Sequence, residues 1–238
     1  MPISRRILLS TGAAAALSAC ASPPHLQEVS REAPPDLPPP PPPPPMPARY
    51  GAITDEPFAI PAVPDGIVPP ELWRQEVANP YPQMPPGGIV VDPDDAYLHL
   101  VEADGRALRY GISVGRAGFG WAGDAVIQYG REWPRWKVPD EMAERQPELA
   151  PYTVSMGGMD PGPGNPLGAR AMYLFENGQD TLYRIHGGCE PQYLGKAVSS
   201  GCIRMLDQDV IDLFERRRDG APVRVLRSAR PAKFATIY

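Results

Sequence analysis

Short runs of β-branched and aromatic residues, separated by turn residues, fill much of the chain from about Gly88 onward. The runs "GIVVD", "AYLHLVEA" and "RALRYGISVG" have the length and composition of strands, and Asp104-Gly105 between the last two predicts a hairpin. The runs "ARAMYLFEN" and "TLYRIHG" predict two more strands around a turn at Asn177-Gly178. A final strand is predicted in "APVRVLR".

The clearest helical pattern is "MLDQDVIDLFERRRDG", where apolar residues recur on one helical face. These residues are Leu206, Val210, Leu213 and Phe214. Asp207 is predicted to be the N-cap of this helix and Gly220 its stop. A second, short helix is predicted near Glu71 to Ala78, whereas residues 116–168 show little periodicity. The predicted fold class is therefore mostly β, with one C-terminal helix before the last strand.

Proline divides the chain into regions. Of the 238 residues 34 are proline, and they are dense between positions 34 and 86. The uninterrupted run from Pro38 to Pro45 favours polyproline II, an extended conformation without internal hydrogen bonds. The sequence therefore predicts a largely disordered tether over 21–87, a folded domain over 88–227 and a C-terminal tail over 228–238.

The N-terminus, "MPISRRILLSTGAAAALSAC", has the form of a secretory signal. Arg5 and Arg6 precede an apolar stretch that is too short to span a membrane. The ending Leu17-Ser18-Ala19-Cys20 resembles the lipobox of bacterial lipoproteins, in which the cysteine is lipidated, and "SRRILL" partly resembles a twin-arginine signal. Ala21 after the cysteine suggests sorting to the outer membrane. We expect a signal over 1–20 and a lipid-anchored periplasmic protein of a Gram-negative cell.

The charge argues against one class of partner. The formal net charge is −5, and the run Arg216 to Arg218 is the only basic cluster in the sequence. Nucleic-acid binding relies on clustered Lys and Arg side chains that neutralise phosphates. We therefore expect no nucleic-acid partner.

The stretch "IHGGCEPQYLGKAVSSGCIRM" contains the candidate chemistry and allows three interpretations. His186, Cys189 and Cys202 could bind a metal, although the usual close pair of ligands is missing. Cys189 and Cys202 could form a disulfide, which persists in an exported protein. Alternatively, Cys202 is a nucleophile with His186 as its base, and Gly201 lets a substrate approach backbone amides that stabilise an oxyanion.

This stretch resembles the signature of L,D-transpeptidases of the YkuD family, in which a His-Gly pair precedes a Ser/Thr-x-Gly-Cys segment that often continues Ile/Val-Arg-Met. The segments "GPGNPLGARAMYL" and "EWPRW" also resemble the family. The resemblance covers roughly Gly88 to Leu226. It implies a β-sandwich-like catalytic domain, in agreement with the mostly-β pattern.

The resemblance also implies roles for single residues. Cys202 is the nucleophile, His186 activates it, and the carbonyl of Gly187 orients the imidazole as the third member of a triad. Ser199 occupies the Ser/Thr position of the motif. Arg204 either orders the loop or meets a carboxylate of the substrate.

Two positions depart from the family pattern. Ser200 stands where many members have a second histidine. Cys189 stands where many relatives have asparagine, so the resemblance makes it a bystander of the chemistry. We hypothesise that Cys189 and Cys202 form a reversible disulfide that inactivates the enzyme.

The reaction implied by the family takes place on the bacterial cell wall. The Cys202 thiolate attacks a peptidoglycan stem tetrapeptide and releases D-Ala, and an amine then resolves the thioester. This amine belongs to a second stem, giving a 3→3 crosslink, or to an outer-membrane protein. No metal or organic cofactor is required. Two alternatives are an L,D-carboxypeptidase with water as acceptor and a non-catalytic wall-binding lipoprotein.

Overall fold

Eleven strands form a single sheet within the part of the chain that a computed structural model describes, residues 44–115, 121–199 and 202–229. The strands are β1 (Gln75–Ala78), β2 (Ile89–Asp92), β3 (Tyr97–Val101), β4 (Arg106–Gly111), β5 (Ser113–Gly115), β6 (Gly123–Glu132), β7 (Arg170–Glu176), β8 (Gln179–His186), β9 (Ala197–Ser199), β10 (Ile203–Arg204) and β11 (Pro222–Val225). The α-helices are α1 (Asp140–Arg145) and α2 (Asp207–Arg216). Short 3₁₀ helices cover Ala48–Tyr50, Pro70–Leu72, Pro147–Tyr152 and Pro191–Tyr193.

The strand order is β1-β4-β3-β2-β11-β6-β7-β8-β10-β5-β9. Strands β4 and β5 are separated by Ile112 alone, yet they lie near opposite ends of this order. The sheet must therefore curl back on itself. Buried apolar side chains of β2 to β8, β10, β11 and α2 share one core inside the curl. The predicted mostly-β, sandwich-like fold with a helix before the last strand is confirmed.

Both turns predicted from the sequence are present. Gly105, with φ of 79°, joins the antiparallel pair β3 and β4. Asn177 and Gly178 have φ of 51° and 80° and join β7 to β8. Two consecutive residues with positive φ match the right-handed twist of a hairpin, which explains why Asn-Gly is found there.

Helix α2 differs from its prediction at both ends. The N-cap is Leu206, and Asp207 is the first helical residue. The Asp207 carboxylate does not cap the helix but accepts hydrogen bonds from the backbone of Ala169 and Gly188. The helix ends at Arg216, and Gly220 lies four residues beyond it in the turn before β11. Its apolar face packs as predicted, since Val210 and Leu213 are fully buried.

The prediction of a disordered tether up to residue 87 is wrong for residues 44–87. Tyr50, Val63, Val68 and Leu72 are buried and form a second core with Cys189, Leu194 and Leu206. Apolar side chains spaced among the prolines supply this packing, and no regular periodicity is needed for it. The rest of the tether, 21–43, and the signal segment, 1–20, lie outside the described residues.

The short helix predicted near Glu71 to Ala78 is also wrong. The chain forms the 3₁₀ turn Pro70–Leu72 and then strand β1, which pairs with β4 in antiparallel register. Pairing with β4 satisfies the backbone of this segment, and this tertiary contact outweighs a weak helical pattern.

The longest strand, β6, lies between residues 116 and 168, where the sequence pattern predicts no strand. β6 spans ten residues and lies between β11 and β7 at the centre of the sheet. Only Ala125 and Ile127 of β6 are buried, and Gly130 interrupts it, so its alternation is weak. Among the residues that the structure describes, no helix is long and apolar enough to cross a bilayer.

The predicted C-terminal tail begins against the domain. The backbone N–H of Ala229 donates to Asp94 Oδ2 at 2.8 Å. Residues 230–238 of the predicted tail lie outside the described part of the chain.

Candidate active site

Strands β8 and β10 run parallel as neighbours and bring the candidate residues together. Ile203 lies opposite Ile185, and Arg204 lies opposite His186. The two isoleucines are buried in the main core. Because side chains alternate along a strand, Cys202, Arg204 and His186 face the other side of the sheet.

That side opens into a cavity of about 330 Å³. Its floor includes His186, Cys202 and Arg204. Its walls come from helix α1 and the segment before it, and from the distal part of β8. The wall residues include Trp136, Glu141, Met142, Arg145, Leu182 and Tyr183. The strand ends thus place a thiol, an imidazole and a guanidinium in one apolar-walled pocket.

The protonation of His186 follows from its contacts. The side chain is 2% exposed, and Nδ1 lies 2.8 Å from the carbonyl oxygen of Gly187. A carbonyl oxygen only accepts hydrogen bonds, so Nδ1 carries the proton. Burial and the charges of Arg204 and Arg184 lower the pKa of His186 to about 3, against the opposing effect of the Gly187 contact. The ring is therefore neutral near pH 7, and Nε2 has a free lone pair.

Cys202 is partly exposed at this cavity. Burial raises the pKa of its thiol, while a hydrogen bond from the Arg184 backbone and the charges of Arg184 and Arg204 act in the opposite direction. The net effect keeps the sulfur protonated at rest. A thiolate at this position consequently needs a base that removes the proton.

Arg204 and Arg184 differ in their partners. Arg184 forms an ion pair with Asp180 at 2.7 Å and stacks on the ring of Tyr173 at 4.3 Å. Within the described residues Arg204 forms no ion pair, and its buried Nε has no hydrogen-bond partner. Arg204 therefore contributes a charge without an ion-pair partner among the described residues to the cavity that His186 and Cys202 line.

Cys189 lies in a different environment from Cys202. It is 7% exposed and packs in the second core. Burial raises the pKa of its thiol to about 12, and Sγ donates to the carbonyl oxygen of Glu190 at 3.5 Å. A thiol with this pKa is a poor nucleophile at neutral pH.

Cys189 and Cys202 are not joined by a disulfide in this structure. The Cys189 N–H donates to the carbonyl of Met205 at 3.1 Å, three residues along the chain from Cys202. Cys189 packs in the second core, whereas Cys202 lines the cavity, so the two thiols lie in different environments.

Sequence reasoning missed the role of Asp207 at this site. Its Oδ1 accepts from the backbone N–H of Ala169 at 2.8 Å and of Gly188 at 3.1 Å. A Cβ on Gly187 would overlap this oxygen, which explains the glycine after the histidine. The sequence shows Asp207 only as an aspartate at the start of a predicted helix, a position that is typical of an N-cap and does not indicate a contact with the histidine loop.

Three of the residues singled out in the sequence lie outside the described part of the chain. Gly201, Ser200 and the lipobox residue Cys20 are outside it. Ser199 ends strand β9, which pairs in parallel with β5.

A mostly-β domain that places a cysteine and a neutral, oriented histidine in one cavity has the groups that a cysteine-dependent acyl-transfer enzyme requires. The family model of the YkuD L,D-transpeptidase catalytic domain matches residues 86–225. The chain therefore belongs to the YkuD L,D-transpeptidase family.

Individual relatives are similar over shorter shares of their length. The Probable L,D-transpeptidase ErfK/SrfK of Salmonella typhimurium is 31% identical over 73% of this chain and 50% of its own length. Its Escherichia coli counterpart is 30% identical over 63% of this chain and 46% of its own. The chain spans about half the length of these curated relatives. Among solved structures, a Brucella melitensis protein named Probable carnitine operon oxidoreductase caia is 48% identical over 66% of this chain and 95% of its own, with a TM-score of 0.45.

Proposed function

We propose that the protein is an L,D-transpeptidase that acts on peptidoglycan stem tetrapeptides through a thioester on Cys202. The observation that carries the proposal is the hydrogen bond of His186 Nδ1 to the Gly187 carbonyl. It leaves Nε2 of a neutral ring free, in the cavity that also contains the Cys202 thiol. Membership of the family supports the same reaction.

In the first half of the reaction, the stem peptide is transferred to Cys202 and D-Ala is released. His186 Nε2 takes the proton of the Cys202 thiol, and the thiolate attacks the carbonyl at the L-centre of diaminopimelate. The bond from this carbonyl carbon to the nitrogen of the terminal D-Ala breaks. The imidazolium returns its proton to that nitrogen, D-Ala leaves, and the acyl group remains on sulfur.

An amine completes the reaction. In one case it is the side-chain amine of diaminopimelate in a second stem, and the product is a 3→3 crosslink. In the other it is a lysine or the N-terminus of an outer-membrane protein, which becomes attached to the wall. His186 accepts the proton of the incoming amine and passes it to the departing sulfur. Arg204, which forms no ion pair among the described residues and lines the cavity, would bind a carboxylate of the stem.

We also propose that the chain is exported to the periplasm and anchored by lipid on Cys20. The identity of Ala21 favours the outer membrane as its destination. The signal-like N-terminus and the resemblance of its end to a lipobox support this location. Since residues 44–87 pack on the domain, any spacer between anchor and domain is limited to 21–43.

The decisive experiment incubates the full chain, with reduced thiols, with a disaccharide-tetrapeptide and identifies the products by mass spectrometry. A crosslinked dimer that lacks one D-Ala is expected from the wild type and from Cys189→Ala, and not from Cys202→Ala. A monomeric tripeptide alone would replace the proposal with an L,D-carboxypeptidase. No product from the wild type would favour a non-catalytic wall-binding protein.

A further inference from the structure

The peptide group between Gly187 and Gly188 is held at both ends by side chains. Its carbonyl oxygen accepts from His186 Nδ1 at 2.8 Å, and its N–H donates to Asp207 Oδ1 at 3.1 Å. The C=O and N–H bonds of a trans peptide point in opposite directions. The peptide therefore lies between the imidazole on one side and the carboxylate on the other.

The surroundings of Asp207 are shaped for this contact. The same Oδ1 accepts a second hydrogen bond, from the Ala169 N–H at 2.8 Å. A Cβ on Gly168 or Gly187 would overlap the carboxylate, and a Cβ on Gly188 would press on the backbone of Pro166. Gly168 and Gly187 thus allow the carboxylate to approach the backbone, and Gly188 allows the close approach of Pro166. Gly168 and Gly188 also have φ of 61° and 69°, where residues with a side chain are strained.

We propose that Asp207 is a positioning residue of the Cys202–His186 pair and acts on His186 through the Gly187–Gly188 peptide. This inference rests on the proposed function, because it assumes that Cys202 and His186 react together. In serine proteases of the Ser-His-Asp type the carboxylate contacts the imidazole directly. Here one peptide group separates the two.

The physical effect follows from hydrogen-bond polarisation. A carboxylate that accepts from the peptide N–H draws positive charge toward itself and makes the carbonyl oxygen at the other end a stronger acceptor. A strong, fixed acceptor keeps the proton on Nδ1 of His186. It also stabilises the imidazolium that forms when Nε2 takes the thiol proton.

The test measures the reactivity of Cys202 without any wall substrate. The full chain is treated with iodoacetamide across a pH series, and the alkylated Cys202 peptide is quantified by mass spectrometry. Asp207→Ala is expected to slow alkylation at neutral pH by at least about tenfold and to move the midpoint of the pH profile upward. Asp207→Asn keeps an oxygen that can accept both N–H groups but loses the negative charge, and its rate is expected between those of Asp207→Ala and the wild type.

The matched control is Asp209→Asn. Asp209 is buried on the same helix and accepts a hydrogen bond from the hydroxyl of Tyr50 at 3.3 Å. Tyr50 lies 159 residues before Asp209 in the chain. Its variant is expected to keep the wild-type pH profile. Melting temperatures of all variants are measured, and alkylation is followed well below the lowest of them.

Two results would overturn the positioning role. One is a folded Asp207→Ala variant with the wild-type rate and profile. The other is an equal shift in Asp209→Asn, which would assign the effect to a loosened helix α2. His186→Gln separates this failure from that of the proposed function: if it alkylates like the wild type, the Cys202–His186 pair itself is wrong.

Discussion

Arg204 lies directly opposite His186 across the parallel strands β8 and β10. After burial, the charge of Arg204 is the largest cause of the lowered pKa of His186. The same guanidinium has a buried Nε without a hydrogen-bond partner among the described residues. Arg204 therefore adds to the effect of burial in keeping the histidine neutral, and it places a positive charge at the cavity.

Replacement of Arg204 by glutamine should raise the pKa of His186 from about 3, because a nearby positive charge that opposes protonation is removed. Burial remains, so the pKa should stay below the ordinary value of 6.5. NMR titration of the His186 ring measures the shift. Arg204→Lys keeps the charge and should move the pKa much less; equal shifts in the two variants would contradict an electrostatic cause.

Asp209 should make the stability of the protein depend on pH. It is 1% exposed, and burial raises its pKa to about 7 from 3.8. Between these two values the folded chain keeps a proton that the unfolded chain releases. The contribution of Asp209 to the free energy of unfolding therefore falls as the pH rises through this window and is constant above it.

The variant Asp209→Asn cannot ionise and should lack this dependence. Relative to the wild type, it should gain a few kcal/mol of stability between about pH 5 and about pH 8. Urea unfolding at the two pH values measures the difference. Parallel pH dependences of variant and wild type would show that Asp209 does not titrate in this range.

Cys189 and Cys202 should differ in reactivity and should not join readily. Iodoacetamide should modify Cys202 in the native chain and Cys189 only after denaturation, because the Cys189 thiol is buried with a pKa of about 12. Oxidised glutathione should give a mixed disulfide at Cys202. A Cys189–Cys202 disulfide formed without loss of native structure would instead support the redox switch hypothesised from the sequence.

The sequence pattern predicts those strands and turns that are determined by residues close together in the chain. The strand β2 is a continuous β-branched run because it is buried on both faces, and the Asn177-Gly178 turn needs two residues that tolerate positive φ. The His186–Gly187 contact joins adjacent residues. A family resemblance was sufficient to anticipate it.

Contacts between distant segments could not be predicted in the same way. Asp207 binds backbone groups 19 and 38 residues earlier in the chain, so only the fold shows that its carboxylate reaches the histidine loop. Tyr50 and Asp209 are 159 residues apart. The proline-rich composition of the N-terminal part suggested disorder, whereas its few apolar residues are sufficient to pack residues 44–87 on the domain.

The buried ion pair between Glu56 and Arg170 tests whether this N-terminal segment is part of the folded unit. The two groups form hydrogen bonds of 2.6 and 3.0 Å, and Glu56 also accepts from Trp133 Nε1 at 2.7 Å. Glu56→Ala would leave a buried guanidinium unpaired and should lower the free energy of unfolding by about 3–5 kcal/mol.

The control is Asp124→Ala, which removes the partner of an exposed arginine, Arg224, and should change stability little. Urea unfolding of the full chain compares the two variants, and an equally small effect would show that residues 44–87 contribute little to the stability of the domain.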